Sequence, residues 1–197
     1  MFPGKAYHYY PKISNELIPS IKEFLRDRLF QINIERGYRH DLVNAVLNAG
    51  VGFDDIHDFS QRLKAVSDVS KEDWWFDLVT VVERTFNIGK KADSMGSVNE
   101  SVFAEPEERK LWDFYKENEA TIRKQIYDKK YREASEKYCN VFAKPVHAFF
   151  DRVFVNVEDE KIRNNRLLLL KEINRLYSEK IADLSQIIIP NNKPPSG

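Results

Sequence analysis

A single cysteine, seven scattered glycines and a net charge of zero in 197 residues exclude several classes of protein at the outset. Cys139 has no cysteine to pair with, and one Cys with four His does not make a zinc cluster, so the expected setting is reducing and cytoplasmic, with no metal. The glycines stand near helix ends and form neither a G-x-G-x-x-G turn nor a G-x-x-x-x-G-K-[ST] loop, so no nucleotide cofactor is expected in this domain. Lys and Arg number 31 and so do Asp and Glu, which leaves no overall pull toward DNA, RNA or an anionic membrane. Any RNA contact must therefore come from local patches, and DNA is not an expected partner. No stretch approaches the roughly 18 consecutive apolar residues of a membrane span, and Met1–Pro11 lacks the apolar core of a signal peptide.

What is present is enough apolar and aromatic material, 42% of the chain with 13 Phe, nine Tyr and three Trp, to bury a sizeable core. Residues 1–12 read as an irregular leader, 13–189 as a helical domain with a flexible loop near 89–104, and 190–197 as a disordered tail. From Ile13 to Glu35 the residues Leu17, Ile21, Phe24, Leu25, Leu29 and Ile32 recur at helical spacing; Pro19 interrupts or starts this helix and Gly37 closes it. Asp41 is placed to cap a short helix to Asn48, Asp54, Asp55 and Asp58 crowd the start of another, and Asp73 to cap a third that runs to Gly89 as its stop. Glu105–Ile126 begins with Pro106 in its first turn, Asp128–Phe142 follows, and Pro145 predicts a new start. Only RVFVNV alternates like a strand, and it is too short to build a sheet. The expected fold is all-α, an antiparallel helical bundle.

The most informative stretch is Lys144–Leu184, where Ile162, Leu169, Ile173, Leu176, Tyr177, Ile181 and Leu184 form one apolar stripe behind a start rich in Arg and Asn. Catalytic pairings are weak throughout. His57-Asp58 lacks the further His and Asp that an HD-type metal phosphohydrolase needs, and Cys139 with His147 has nothing to lower the thiol pKa. No catalytic residue is assigned. RNA contact has more support, because Arg clamps phosphates and stacks on bases while Tyr offers base platforms. Arg36, Tyr38 and Arg39 lie on a turn between helices. Arg84 and Asn87 are i and i+3 on one helix. Arg163, Asn164 and Arg166 open the last helix. Arg123–Arg132 carries five positive charges against one negative, with Tyr127 and Tyr131 between them. For each of these, an ordinary solvated or helix-capping role is the alternative.

The stretches FLRDRLFQINIERGYRHDLVNAVLNAG, DFSQRLKAV, ERTFNIGK and AFFDRVFVNVEDEKIRNNRLLLLKEINRLYSEKIADLSQI resemble, in order and approximate spacing, the carboxyl-terminal anticodon-binding (DALR-like) domain of the glycyl-tRNA synthetase β subunit. The resemblance implies the helical class shared with arginyl-tRNA synthetase and a role in gripping the anticodon region of glycine tRNA. It also implies a longer β subunit in an α2β2 heterotetramer, with ATP and Mg used by the catalytic α subunit. Matched by position, Arg36, Tyr38, Arg62, Arg84, Asn87, Arg163, Asn165 and Arg166 are its recurrent polar positions. Thr85, Phe86 and His147 depart from it: smaller or aliphatic residues are usual at the first two, and Asp at the third. The rival reading is a helical scaffold for subunit assembly whose basic residues are merely solvated.

Overall fold

The computed structural model describes residues 10–92 and 96–187, with side chains from Leu17 onward. The start of the leader, the tail from Ile188 and residues 93–95 of the loop lie outside the described residues. Seven α-helices make up the described fold: α1 (Tyr10–Glu35), α2 (His40–Leu47), α3 (Ile56–Val69), α4 (Trp75–Gly89), α5 (Pro106–Tyr127), α6 (Tyr131–Arg152) and α7 (Glu160–Ser178). Two 3-10 turns, Glu100–Val102 and Leu184–Gln186, flank the last part of the bundle.

Gly37, at φ +87°, ends α1 as its sequence position predicts; its N–H reaches the Ile34 carbonyl, and the Tyr38 N–H reaches that of Asn33. Asp55 caps α3 by accepting the Asp58 N–H, and Asp159 caps α7 by accepting those of Lys161 and Ile162. Glu105 and Glu108 form a capping box at the start of α5. Asp41 and Asp73 do not serve as the caps expected of them: the cap positions are Arg39 and Trp74, neither with a side-chain cap bond.

Both internal prolines are carried through. Pro19 lies inside α1 and Pro145 inside α6, so AFFD ends α6 rather than opening a new element. A proline removes one helical bond at a cost of about 3 kcal/mol. In α6 that loss is outweighed by Tyr138, Phe142, Val146 and Phe149 on either side of Pro145, all fully buried. After Arg152 ends α6, the rest of RVFVNV is part of the irregular link to α7, and its alternation is real burial without strand pairing: Val153 and Val155 are buried and Phe154 is exposed.

The core lies where α4 and α7 cross α5 and α6. The Glu107–Arg152 pair joins the first turn of α5 to the last turn of α6, so these two helices run antiparallel as expected. Along α4 and α7, the Val82 carbonyl and Thr85 meet Asn174 while Gly89 meets Lys171, which makes that pair antiparallel too. Gly89 closes α4, as its sequence position predicts. It is the last helical residue, and a Cβ there would sit 2.8 Å from the Lys171 nitrogen, so its bareness lets two backbones touch. In α7 the stripe read from the sequence is buried except for the half-buried Ile162, but so are Leu167, Leu168 and Leu170, and the middle of this helix is covered nearly all round. The first half of α1 is the opposite case: Leu17, Ile18, Ile21, Phe24 and Leu25 are all exposed.

Candidate nucleic-acid interface

Two of the arginines singled out in the sequence belong to the core, out of reach of RNA. Arg62 is 1% exposed; its guanidinium donates to the Asp58 carboxylate at 2.8 Å and to the carbonyls of Val46, Ile181 and Gly52. It ties α3 to the ends of α2 and α7. Asp58 also accepts bonds from Lys129 and Tyr131, at the turn between α5 and α6. Burial alone would raise the Asp58 pKa, but those bonds outweigh it and hold the carboxyl below its ordinary value. With two cations and a phenol on it, this carboxylate is not a metal ligand beside His57, and no group of three His, Cys, Asp or Glu placed to hold a metal occurs among the described residues.

Arg166 is the second. It is 4% exposed, donating to Glu108 at 2.8 Å and to the Phe154 carbonyl at 2.8 Å. Glu108 is fully buried and accepts the N–H groups of Ala104 and Glu105 with its other oxygen. One carboxylate thus caps α5 and neutralises α7. Asn165 is buried as well, and its amide exchanges two hydrogen bonds with the backbone of Asn99. That clamp, with Gly96 set against Leu168, ties residues 96–104 down, where a loose connection was expected; a two-bond amide clasp leaves no trace in composition.

The turn between α1 and α2 behaves differently. Arg36 is exposed and has no side-chain partner among the described residues. Tyr38 is half-buried against the core, and Arg39 pairs with Asp41. Arg36 is therefore an unpaired cation on an exposed turn.

Arg84 is half-buried over Phe150, its guanidinium carbon 4.2 Å from the ring centroid, with Nη1 3.3 Å from His147 Nδ1. His147 stands where the resemblance leads one to expect Asp, so the guanidinium meets an imidazole rather than a carboxylate and keeps its charge uncompensated at that contact. Thr85, another of the departures, is buried and donates to the Val81 carbonyl while accepting from Asn174. Asn87 faces outward and accepts from Lys90.

Arg163 is partly covered, donating to the Val157 and Glu158 carbonyls and pairing with Glu160. With Lys91, Lys161 and Asn164 it lines a polar cleft of about 520 Å³ between the end of α4 and the start of α7. In the Arg123–Arg132 segment most charges are engaged: Arg123 with Glu119, Lys124 with Asp128, Lys129 with Asp58 and Arg132 with Glu72. Tyr131 is buried, its hydroxyl pushed up to about 12 by burial and by Asp58, whereas Tyr127 is 85% exposed. Cys139 is buried, and burial raises its thiol to about 12, which removes it as a nucleophile.

The geometry leaves local cationic surfaces on the bundle, and comparison with known proteins shows which family carries this arrangement of helices. The sequence model of the DALR anticodon binding domain matches residues 79–182, from α4 through α7. The glycine–tRNA ligase β subunit of Halothermothrix orenii is 38% identical over 170 residues, 85% of this chain and 24% of that protein. The β subunits of Desulforamulus reducens and Clostridioides difficile are 35% and 31% identical, over 89% and 88% of this chain and 24% of each relative. The chain thus spans about a quarter of the length of the curated relatives it matches. With more than half of its length under that match, it belongs to the DALR anticodon binding domain family and is related, along most of its length, to glycine–tRNA ligase β subunits.

Proposed function

We propose that this chain is the tRNA-gripping part of a glycine–tRNA ligase, holding the anticodon region of glycine tRNA so that a separate α subunit, using ATP and Mg, charges the other end. The match of α4–α7 to the anticodon-binding family carries this reading. The charge distribution supports it: the bundle is neutral overall yet keeps Arg36 unpaired on an exposed turn and Arg84 stacked on Phe150 at the surface. Free guanidinium groups set register on phosphates, and stacked ones present a flat cation to a base. Arg62 and Arg166 contribute rigidity only. An α2β2 assembly and a cytosolic site belong to the same proposal; no helix among the described residues is long and apolar enough to cross a membrane.

The test is titration of the chain with glycine tRNA and with an anticodon-altered version at several salt concentrations. The reading expects binding that weakens with salt and is tighter for the native anticodon. Equal binding to both overturns anticodon recognition.

One observation favours a second role beside the first. The exposed apolar face of α1, with Phe53 and Ile56, lines a groove of about 490 Å³ and is the kind of patch that marks an assembly surface. Its occupant in this reading is the rest of a β-type subunit, of which the chain represents about a quarter.

A further inference from the structure

The antiparallel pair α5 and α6 carries a groove lined by none of Arg36, Tyr38, Arg39, Arg84, Asn87 and Arg163. Leu111, Phe114, Pro145 and Ala148 form its apolar floor, and Lys110, Lys144 and Arg152 stand around it, enclosing about 310 Å³. Phe114 is 38% exposed, so its ring is open to solvent beside the groove. Pro145 has no N–H to give the carbonyl of Val141 one turn earlier, which leaves a backbone acceptor at the groove's helix without its helical partner.

The groove continues in the same register. On α5, Lys110, Phe114, Glu117, Thr121 and Lys124 follow at steps of four, three, four and three, and Thr121 and Lys124 line a second hollow near the α5–α6 turn with Lys130, Asp128 and Glu133. On α6, Lys137, Lys144, Ala148 and Arg152 follow at helical steps. Each helix has 22 residues, so this face is about 33 Å long. Lys130, Lys137 and Lys144 have no ion-pair partner among the described residues; Glu107 in the groove wall is paired with Arg152, and Lys110 acts on it from a longer range.

We propose that this groove seats unpaired nucleotides of the tRNA, with one base on Phe114 and Pro145 and the flanking phosphates on Lys110 and Lys144. This rests on the tRNA-binding reading above and locates it. The chemistry is that of single-strand binding: an aromatic platform supplies sequence-tolerant stacking, and the lysines on either side of it hold the backbone. An acidic protein segment would meet the same cations, but the flat Phe–Pro floor and the spaced lysines favour a stacked base between phosphates.

The test compares the wild-type chain with Phe114→Ala, Phe114→Trp, Lys144→Glu and the double variant Lys110→Ala/Lys144→Ala, each checked by circular dichroism and titrated with glycine tRNA. Phe114→Ala is expected to weaken binding about ten-fold and Phe114→Trp to preserve it. The double lysine variant lowers the slope of log affinity against log salt by about two, and Lys144→Glu, at an exposed position, weakens binding with the fold intact. Wild-type binding with all four variants within two-fold of it overturns the groove and leaves the parent reading standing. No wild-type binding overturns both. Displacement of tRNA by a poly-glutamate peptide as readily as by single-stranded RNA assigns the groove to a protein partner instead.

Discussion

Replacing Glu108 by Gln keeps the shape of the side chain and removes the charge that Arg166 is buried against. In the folded chain one Glu108 oxygen accepts the N–H groups of Ala104 and Glu105 at 2.7 and 2.6 Å, while the other receives Arg166 Nε at 2.8 Å. A glutamine satisfies the two backbone donors only by turning its NH2 toward the guanidinium, donor against donor. Breaking one side of a buried pair costs about 3–5 kcal/mol. Arg166 keeps the Phe154 carbonyl, so the lower end, about 3 kcal/mol, applies. For a domain of this size that lowers the melting midpoint by roughly 6–12 °C. Urea unfolding followed by helical circular dichroism measures it. Adding Arg166→Met to the glutamine variant removes the clash and is expected to recover about half of the loss, since a buried pair replaced as a unit costs far less than one broken. A loss below about 1 kcal/mol for the single variant, or simple additivity of the two, refutes the assignment of this pair as a structural anchor.

Gly89→Ala places a Cβ 2.8 and 2.9 Å from the Lys171 backbone, which cannot swing aside, so the helix-propensity gain of up to about 1 kcal/mol is outweighed by an overpacking cost of about 1–3 kcal/mol. A melting midpoint that rises contradicts this. Asp58→Asn costs about 2–3 kcal/mol at neutral pH, because a charged hydrogen-bond hub is lost. The folded Asp58 carboxyl lies below its ordinary value, so its contribution is present above the unfolded pKa and is lost as pH falls through the folded one. Stability curves of variant and wild type therefore converge below about pH 4, and a gap that stays constant there counts against the network. Arg36→Ala, at an exposed unpaired position, leaves stability within about 0.5 kcal/mol and lowers the salt slope of tRNA binding by about one; an unchanged slope removes Arg36 from the RNA surface.

Helical periodicity made the elements legible, because each helix buries one side against a neighbour and Gly37 has to end α1. Pro145 misled, because a proline breaks a helix only when packing does not hold it. Gly89 does end α4, and it also makes room for the Lys171 backbone, which its sequence position does not show. The buried arginines carried a signal that went unused. Arg62 falls in step with Phe59, Val66 and Val69, and Arg166 in step with Ile162, Leu169 and Ile173, so each sits on an apolar stripe rather than opposite it. A charge on such a stripe signals a buried partner, and Asp58, four residues before Arg62, was visible as one. Glu108 was not visible as the partner of Arg166, since 58 residues and a packed interface separate them. The α5–α6 groove was hidden because Phe114 and Tyr115 compete for the core in one turn, and only packing decides that Tyr115 goes in and Phe114 stays out.

The central claim is that this bundle grips the anticodon end of glycine tRNA. Competition against labelled full-length glycine tRNA, with its isolated anticodon stem-loop in one series and its isolated acceptor arm in the other, tests it most directly. The account predicts that the stem-loop displaces the tRNA at concentrations near those of the intact molecule while the acceptor arm does not. Displacement by the acceptor arm as effective as that by the stem-loop would contradict it.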